Sequence, residues 1–347
     1  MLKPAYKIII GRKFFDTTDE PKASNVVDLT VKLDIETPTD SATLVLGNVN
    51  SLNPARDDQV KIELGYEDNG GLAQVMVGSI VTVEPDITTK RVIAYTSAQT
   101  LLRTYIDQTY ESKTAGQIVE DLVSRASSDG LGAISAAGSA LASLTGQTTL
   151  EVANAEDGIN FPAYVIDSNR SIYYHMGDLA DLCGFDLYIN SEGKLVFEKF
   201  TGGKTVHVFE YAKDIINIEV KRTPPRATQV EAWGESPAGR GGANSWAWLT
   251  NNFRTSTGIT GNGNPKYLLE RPALRTSAAA RTAAEATLTT FQRQTLRGKI
   301  LVLGNPQVKL GDAIRLQNLP DSTLNQTFQI RKITHRLTKK QRFHHHY

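Results

Sequence analysis

Seven carboxylates are candidates for acid–base work: Asp57, Asp58, Glu84, Asp86, Asp178, Asp181 and Asp312. Two carboxyls facing each other across a sugar can cleave a glycosidic bond. Asp57, Asp58 and Asp312 stand in polar turn sequences, however, where an Asp side chain accepts backbone hydrogen bonds. Turn chemistry accounts for them without catalysis. His175 and Cys183 fall eight residues apart on one expected helix, about 12 Å at 1.5 Å per residue. That is too far for a Cys–His dyad, and Cys183 reads as a small core residue. His344, His345 and His346 are adjacent, so on a strand they point to alternate faces and make a poor metal shell. Gly261-Asn262-Gly263-Asn264-Pro265 lacks the Lys-Ser/Thr that completes a phosphate loop. Arg331, Lys332, Arg336, Lys339, Lys340 and Arg342 form a basic cluster. With little aromatic interleaving it reads as a solvated or subunit-facing hairpin, not a single-strand binder. No catalytic residue, metal or cofactor is expected.

The bulk numbers bound the class of protein. The chain has 347 residues, 40% hydrophobic and 22% charged, enough for two or three globular domains. A net charge of +1 excludes a nucleic-acid binder held by bulk charge. One cysteine excludes an intrachain disulfide framework. The apolar run Ile8–Ile10 is too short for a signal peptide, and no segment approaches the about 18 apolar residues of a membrane helix.

The elements that must position these residues are mostly strands. Val27, Leu29, Val31 and Leu33 alternate with Asp28, Thr30, Lys32 and Asp34, the period of a half-buried strand. Asp58–Tyr66 and Gln74–Val83 read as a hairpin through Asn69-Gly70-Gly71. Thr114 and Ser171 are the expected N-caps of two amphipathic helices, the second ending at Gly184. Asp186–Phe197 reads as a hairpin, Ser277–Gln294 as an Ala-rich helix, and Thr327–His335 as a single strand. The stretch from Leu131 to Leu144 is rich in Gly, Ala and Ser and reads as a loose helix or loop.

The chain closes much as its first third does. Arg56-Asp57-Asp58 launches one apolar–polar strand, and Leu310-Gly311-Asp312 launches another. Two similar β modules suggest a duplicated scaffold, and repeated modules commonly assemble into rings.

In order and spacing these pieces resemble the tail hub proteins of contractile-tailed phages and injection machines, including the late control protein D family and the hub half of VgrG. The residues that carry the resemblance are Asp58–Tyr66, Val77-Gly78-Ser79-Ile80-Val81, Gly177–Tyr188, Gly304-Asn305-Pro306 through Gly311-Asp312, and His335. The resemblance implies a β-rich α+β fold with two tail-tube-like β-barrels per chain. It implies a homotrimer whose six barrels form a pseudo-sixfold ring between a hexameric tail tube and a trimeric spike. It further implies other baseplate partners, a channel passing DNA or protein cargo, no membrane insertion, and a place in a virion tail or injection particle assembled in the bacterial cytoplasm. VgrG chains continue into a spike, so the spike here is expected to be a separate protein.

The expected layout is a first barrel over 1–105, an α+β module over 106–205, a second barrel over 206–235 and 293–347, and a loop and Ala-rich helix insertion over 236–292. The Gly-rich stretch 236–276 carries Trp246, Trp248, Phe253 and Tyr267, an expected interface because exposed aromatics mark contact surfaces. Asp28, Thr30, Lys32 and Asp34, with Lys61 and Glu63, are the expected channel-facing set. Two other classes stay open. One is a tail-tip peptidoglycan hydrolase. The other is a carbohydrate- or nucleic-acid-binding module using Trp233, Trp246 and Trp248.

Overall fold

The computed structural model describes residues 3–11, 13–17, 26–47, 53–67, 71–129, 150–237, 249–250, 257–338 and 344–346. The first region is all β: β1 (Pro4–Ile10), β2 (Lys13–Asp16), β3 (Val26–Asp34), β4 (Ser41–Gly47), β5 (Gln59–Tyr66), β6 (Gly71–Pro85) and β7 (Thr89–Tyr95). A mixed region follows: α1 (Ala98–Arg103), β8 (Gln108–Thr114), α2 (Ala115–Asp129), β9 (Val152–Ala155), β10 (Asn160–Ile166), α3 (Ile172–Cys183), β11 (Asp186–Ile189) and β12 (Leu195–Glu198). Next come β13 (Val206–Glu210), β14 (Ile215–Arg222), β15 (Gln229–Trp233), β16 (Ser236–Pro237), β17 (Leu249–Thr250), β18 (Thr257–Gly261), β19 (Lys266–Glu270) and α4 (Ser277–Arg293). The chain finishes with β20 (Leu296–Leu303), β21 (Ala313–Gln317), β22 (Thr327–Gln329), β23 (Lys332–Thr338) and β24 (His344–His346).

Among the described residues, eleven strands join in one sheet, ordered β14-β20-β24-β23-β3-β4-β7-β6-β5-β1-β2. The two β-rich ends of the chain meet where β23 pairs antiparallel with β3, Lys332 opposite Asp34 and Thr338 opposite Asp28. The sheet curls over one core that holds Ile8, Leu29, Leu46, Ile62 and Ile80 from the first region and Ile300, Val302, Leu316 and Ile333 from the last. The fold is β-rich α+β with tail-tube-like β regions, as expected.

The same turn launches both halves. In Ala55-Arg56-Asp57-Asp58 the Asp58 carboxylate accepts from Ala55 N at 2.8 Å, and in Lys309-Leu310-Gly311-Asp312 the Asp312 carboxylate accepts from Lys309 N at 3.0 Å. The third residue is left-handed in each, Asp57 at φ 70° and Gly311 at φ 80°.

A second core packs α1–α4 against the smaller sheets. β15 lies in a three-stranded sheet with β18 and β19, and α4 covers that sheet. Gly258 on β18 sits so close to α4 that a Cβ there would stand 2.1 Å from Arg281 N. The hairpin of β11 and β12 separates the two cores. Leu187, Ile189, Leu195 and Phe197 belong to the helical core, while Tyr188 and Val196 belong to the sheet core. Successive strand residues point to opposite faces, so this hairpin is buried on both sides.

Some local expectations shift. Val26 is buried and Val27 only partly so, because a bulge at Val27 changes the phase of β3. Thr327–His335 is two strands, since β22 pairs with β21 and β23 with β3. Ser171 stands at the N-cap of α3, but its side chain makes no cap hydrogen bond. Thr114 Oγ1 accepts from Gln117 N at 3.3 Å at the start of α2, and Gly184 ends α3 at φ 70°. The segment 131–144 lies outside the described residues.

Candidate interaction surfaces

Leu29, Val31 and Leu33 on β3 and Val60, Ile62 and Leu64 on β5 all point into the sheet core. The intervening residues therefore share the opposite face of the same sheet. Asp28, Thr30, Lys32 and Asp34 lie there with Lys61 and Glu63, four strand spacings or about 19 Å apart. Thr334, Lys32, Ser41, Tyr95, Ser79 and Gln59 form one row across the strands between them.

Charges on this face are mostly matched. Lys332 Nζ is 2.8 Å from Asp34 Oδ2, Arg336 Nη2 3.7 Å from Asp28 Oδ2, Lys61 Nζ 2.7 Å from Glu63 Oε1, and Arg91 Nη1 3.8 Å from Glu84 Oε2. Two members of the basic cluster thus face two members of the acidic set across one pair of strands. Arg331, a third, reaches Glu36 at 3.3 Å and Asp186 at 2.8 Å, joining the sheet to β11.

Tyr267 points toward α4: its ring meets Phe291 at 5.1 Å, and the Arg226 guanidinium lies 4.8 Å over it. Trp246, Trp248 and Phe253 lie outside the described residues. Trp233 is on β15, where its indole N–H donates to Glu231 at 2.9 Å.

Of the candidate catalytic groups, Asp178 and Asp181 share α3, where burial first and the charge of Asp178 second hold the Asp181 carboxyl above its usual range. Asp57 and Asp58 occupy one turn and Asp312 another. Asp178 pairs with Arg170 at 2.7 Å. His175 Nε2 meets the Asp167 carbonyl at 3.0 Å, while Cys183 Sγ accepts from Ile159 N at 3.4 Å. Burial pushes the Cys183 thiol up to about 11, so it stays protonated and unreactive. A groove of about 470 Å³ beside Ala227, Thr228, Gly261–Asn264 and Leu288 is lined by no titratable side chain. The backbone of His344–His346 forms β24 between β20 and β23. Among the described residues, no three His, Cys, Asp or Glu side chains cluster as a metal site.

Sequence reasoning missed His207 and Asp40 and did not foresee the burial of His335. His207 Nε2 lies 3.0 Å from Asp312 Oδ2. Asp312 also accepts from Lys309 N, so it braces the turn. Asp40, 4% exposed, accepts from Asp34 N at 2.7 Å, and burial pushes its carboxyl up to about 7. His335 is wholly buried, and burial followed by the charge of Lys309 drives it down to about 3, so it is neutral near pH 7. No local pattern marks Asp40, because its burial depends on α1, α3 and β11 closing over the β3–β4 turn.

Solved structures share this arrangement. The 43 kDa tail protein of prophage MuSo2 from Shewanella oneidensis superposes with a TM-score of 0.67 at 11% identity, over 99% of this chain and 97% of that one. This chain has the fold of phage tail proteins. A tail protein from Neisseria meningitidis gives 0.66 at 12% identity, over 99% and 95% of the two chains. The E. coli c3393 protein, a component of the type VI secretion system, gives 0.58 at 8% identity, over 98% and 75%. No family model matches the sequence, and no curated protein matches it. With identities this low, the tail-protein fold is what these likenesses establish, and it spans both cores.

Proposed function

We propose that this chain is a structural hub in a contractile tail or injection particle. Three copies form a pseudo-sixfold ring that joins a hexameric tube to a trimeric spike, and no step of catalysis is involved. The observation that carries this reading is the repeated turn: the Asp58 and Asp312 turns launch β5 and β21, strands of two different sheets over one core, with the same hydrogen bonds. A chain with two such regions supplies six in a trimer, which is the number a sixfold tube meets. Whole-length similarity to phage tail proteins supports a place in a tail.

In this reading the ion-paired face with Asp28, Thr30, Lys32, Asp34, Lys61 and Glu63 lines the channel. Alternating signs keep passing polyanions from sticking, because phosphate affinity grows with each uncompensated Lys or Arg. The segment that carries Trp246, Trp248, Phe253 and Tyr267 contacts a neighbouring subunit or baseplate protein. Electron microscopy of the assembled particle tests the proposal. Threefold density for this chain between tube and spike is expected, and six copies or a single copy per particle would refute it.

A further inference from the structure

Beyond the shared core, β14 and β20 continue as a two-stranded ribbon. β14 ends the eleven-stranded sheet, and β24 pairs with β20 only at Leu301–Leu303. Glu219–Arg222 and Leu296–Lys299 therefore have no third strand among the described residues. Glu219, Val220, Lys221 and Arg222 are exposed, as are Arg297, Gly298 and Lys299. An isolated ribbon of this kind is marginal in water, and an open edge offers unpaired N–H and C=O groups to another strand.

The side chains say what kind of strand fits. Lys221 stands directly opposite Arg297. Like charges facing each other across a ladder are destabilising. The acids nearby are already engaged: Glu219 with Lys299 at 3.1 Å, and Asp321 with Arg222 at 3.0 Å. Lys221 and Arg297 have no acidic partner among the described residues. On β14 itself, Ile216 is 52% exposed and Val220 38%.

We propose that the outer edge of β14 accepts, as an added strand, an extended segment of another protein in which acidic and apolar residues alternate. The acids meet Lys221 and Arg297 on one face, and the apolar side chains cover Val220 on the other, because strand side chains alternate. A nucleic acid fits less well. It satisfies no backbone edge and leaves the isoleucine and valine exposed, and two uncompensated cations give few phosphate contacts. The inference holds whether or not the chain forms a trimer.

The test uses the full-length protein with two fluorescein-labelled peptides, one alternating Val and Glu and the other alternating Val and Lys, and a labelled oligothymidylate. Anisotropy should show the acidic peptide binding at least about tenfold tighter than the basic one. Lys221→Glu with Arg297→Glu should reverse that preference. If the double reversal fails to fold, Lys221→Gln with Arg297→Gln should abolish it. Hydrogen exchange should slow within 215–222 when the acidic peptide binds. Equal binding of both peptides, an unchanged preference in the folded variant, or protection only outside 215–222 would overturn the proposal. So would tighter binding of the oligonucleotide, or self-association that Lys221→Glu with Arg297→Glu dissolves in the absence of peptide.

Discussion

Asp58 and Asp312 make matching hydrogen bonds at opposite ends of the chain. Each carboxylate accepts from the backbone N–H three residues earlier, each aspartate's N–H donates at 3.3 Å to the carbonyl of that same residue, and each aspartate's carbonyl accepts from a residue further along the chain, Asp58 from Ile80 on β6 at 2.8 Å and Asp312 from Ile330 just after β22 at 2.9 Å. The copies differ at the left-handed position, which is Asp57 in one and Gly311 in the other.

That difference predicts opposite responses to substitution. Asp57→Gly should be neutral or stabilising by up to about 1 kcal/mol, since glycine adopts positive φ without strain. Gly311→Ala should destabilise by about 1–3 kcal/mol or more. A Cβ there would also lie 2.3 Å from the hydroxyl of buried Tyr188. Urea unfolding of the two variants checks both signs.

Asp40 and His335 predict opposed pH dependences. The Asp40 carboxyl rises from 3.8 to about 7, so the folded state holds an extra proton between those values and stability falls as pH rises through that window. His335 falls from 6.5 to about 3, so the unfolded state holds the extra proton and stability rises with pH between about 3 and 6.5. The two slopes, each near 1.4 kcal/mol per pH unit for one proton, cancel over most of that range. Asp40→Asn should make stability climb more steeply from pH 4 to 6.5, and His335→Gln should make it decline. If neither variant changes the slope of unfolding free energy against pH, these assignments fail.

Arg331 links the cores through Asp186, which is buried. Arg331→Ala leaves that carboxylate without its cation, at a cost of about 1–3 kcal/mol, reduced because the arginine is partly solvated. Faster amide exchange in β11, with β1 and β5 unchanged, is the expected signature.

The channel assignment predicts a defect in delivery, not in assembly. Asp28→Lys, Asp34→Lys and Glu63→Lys together turn a mixed face cationic. Particles should form and pass cargo or genome more slowly. Normal delivery, or a particle structure with these residues on the outer wall, rules the assignment out.

Strong local patterns were legible in sequence. Val60, Ile62 and Leu64 are buried as their alternation requires, and Gly184 ends α3 where an αL residue was needed. What sequence hid depends on distant partners. The basic run around Arg331 reads as a patch until β3 brings Asp28 and Asp34 alongside. The break between β22 and β23 has no breaker residue, since it arises because the two pieces pair with different strands. Short strands such as β9 and β13 span too few residues to show a period.

The pairing of β3 with β23 has a consequence for synthesis. Asp34 and Lys332 are 298 residues apart. A ribosome adding 5–20 residues per second needs roughly 15–60 s to bridge that gap. Through that interval one flank of β3 is exposed on the nascent chain, with four buried-type aliphatic residues and an open ladder, while β4 already holds the other. Chaperone occupancy on the N-terminal region should therefore persist until the last strands emerge, and slowing translation late in the message should raise misassembly more than slowing it early.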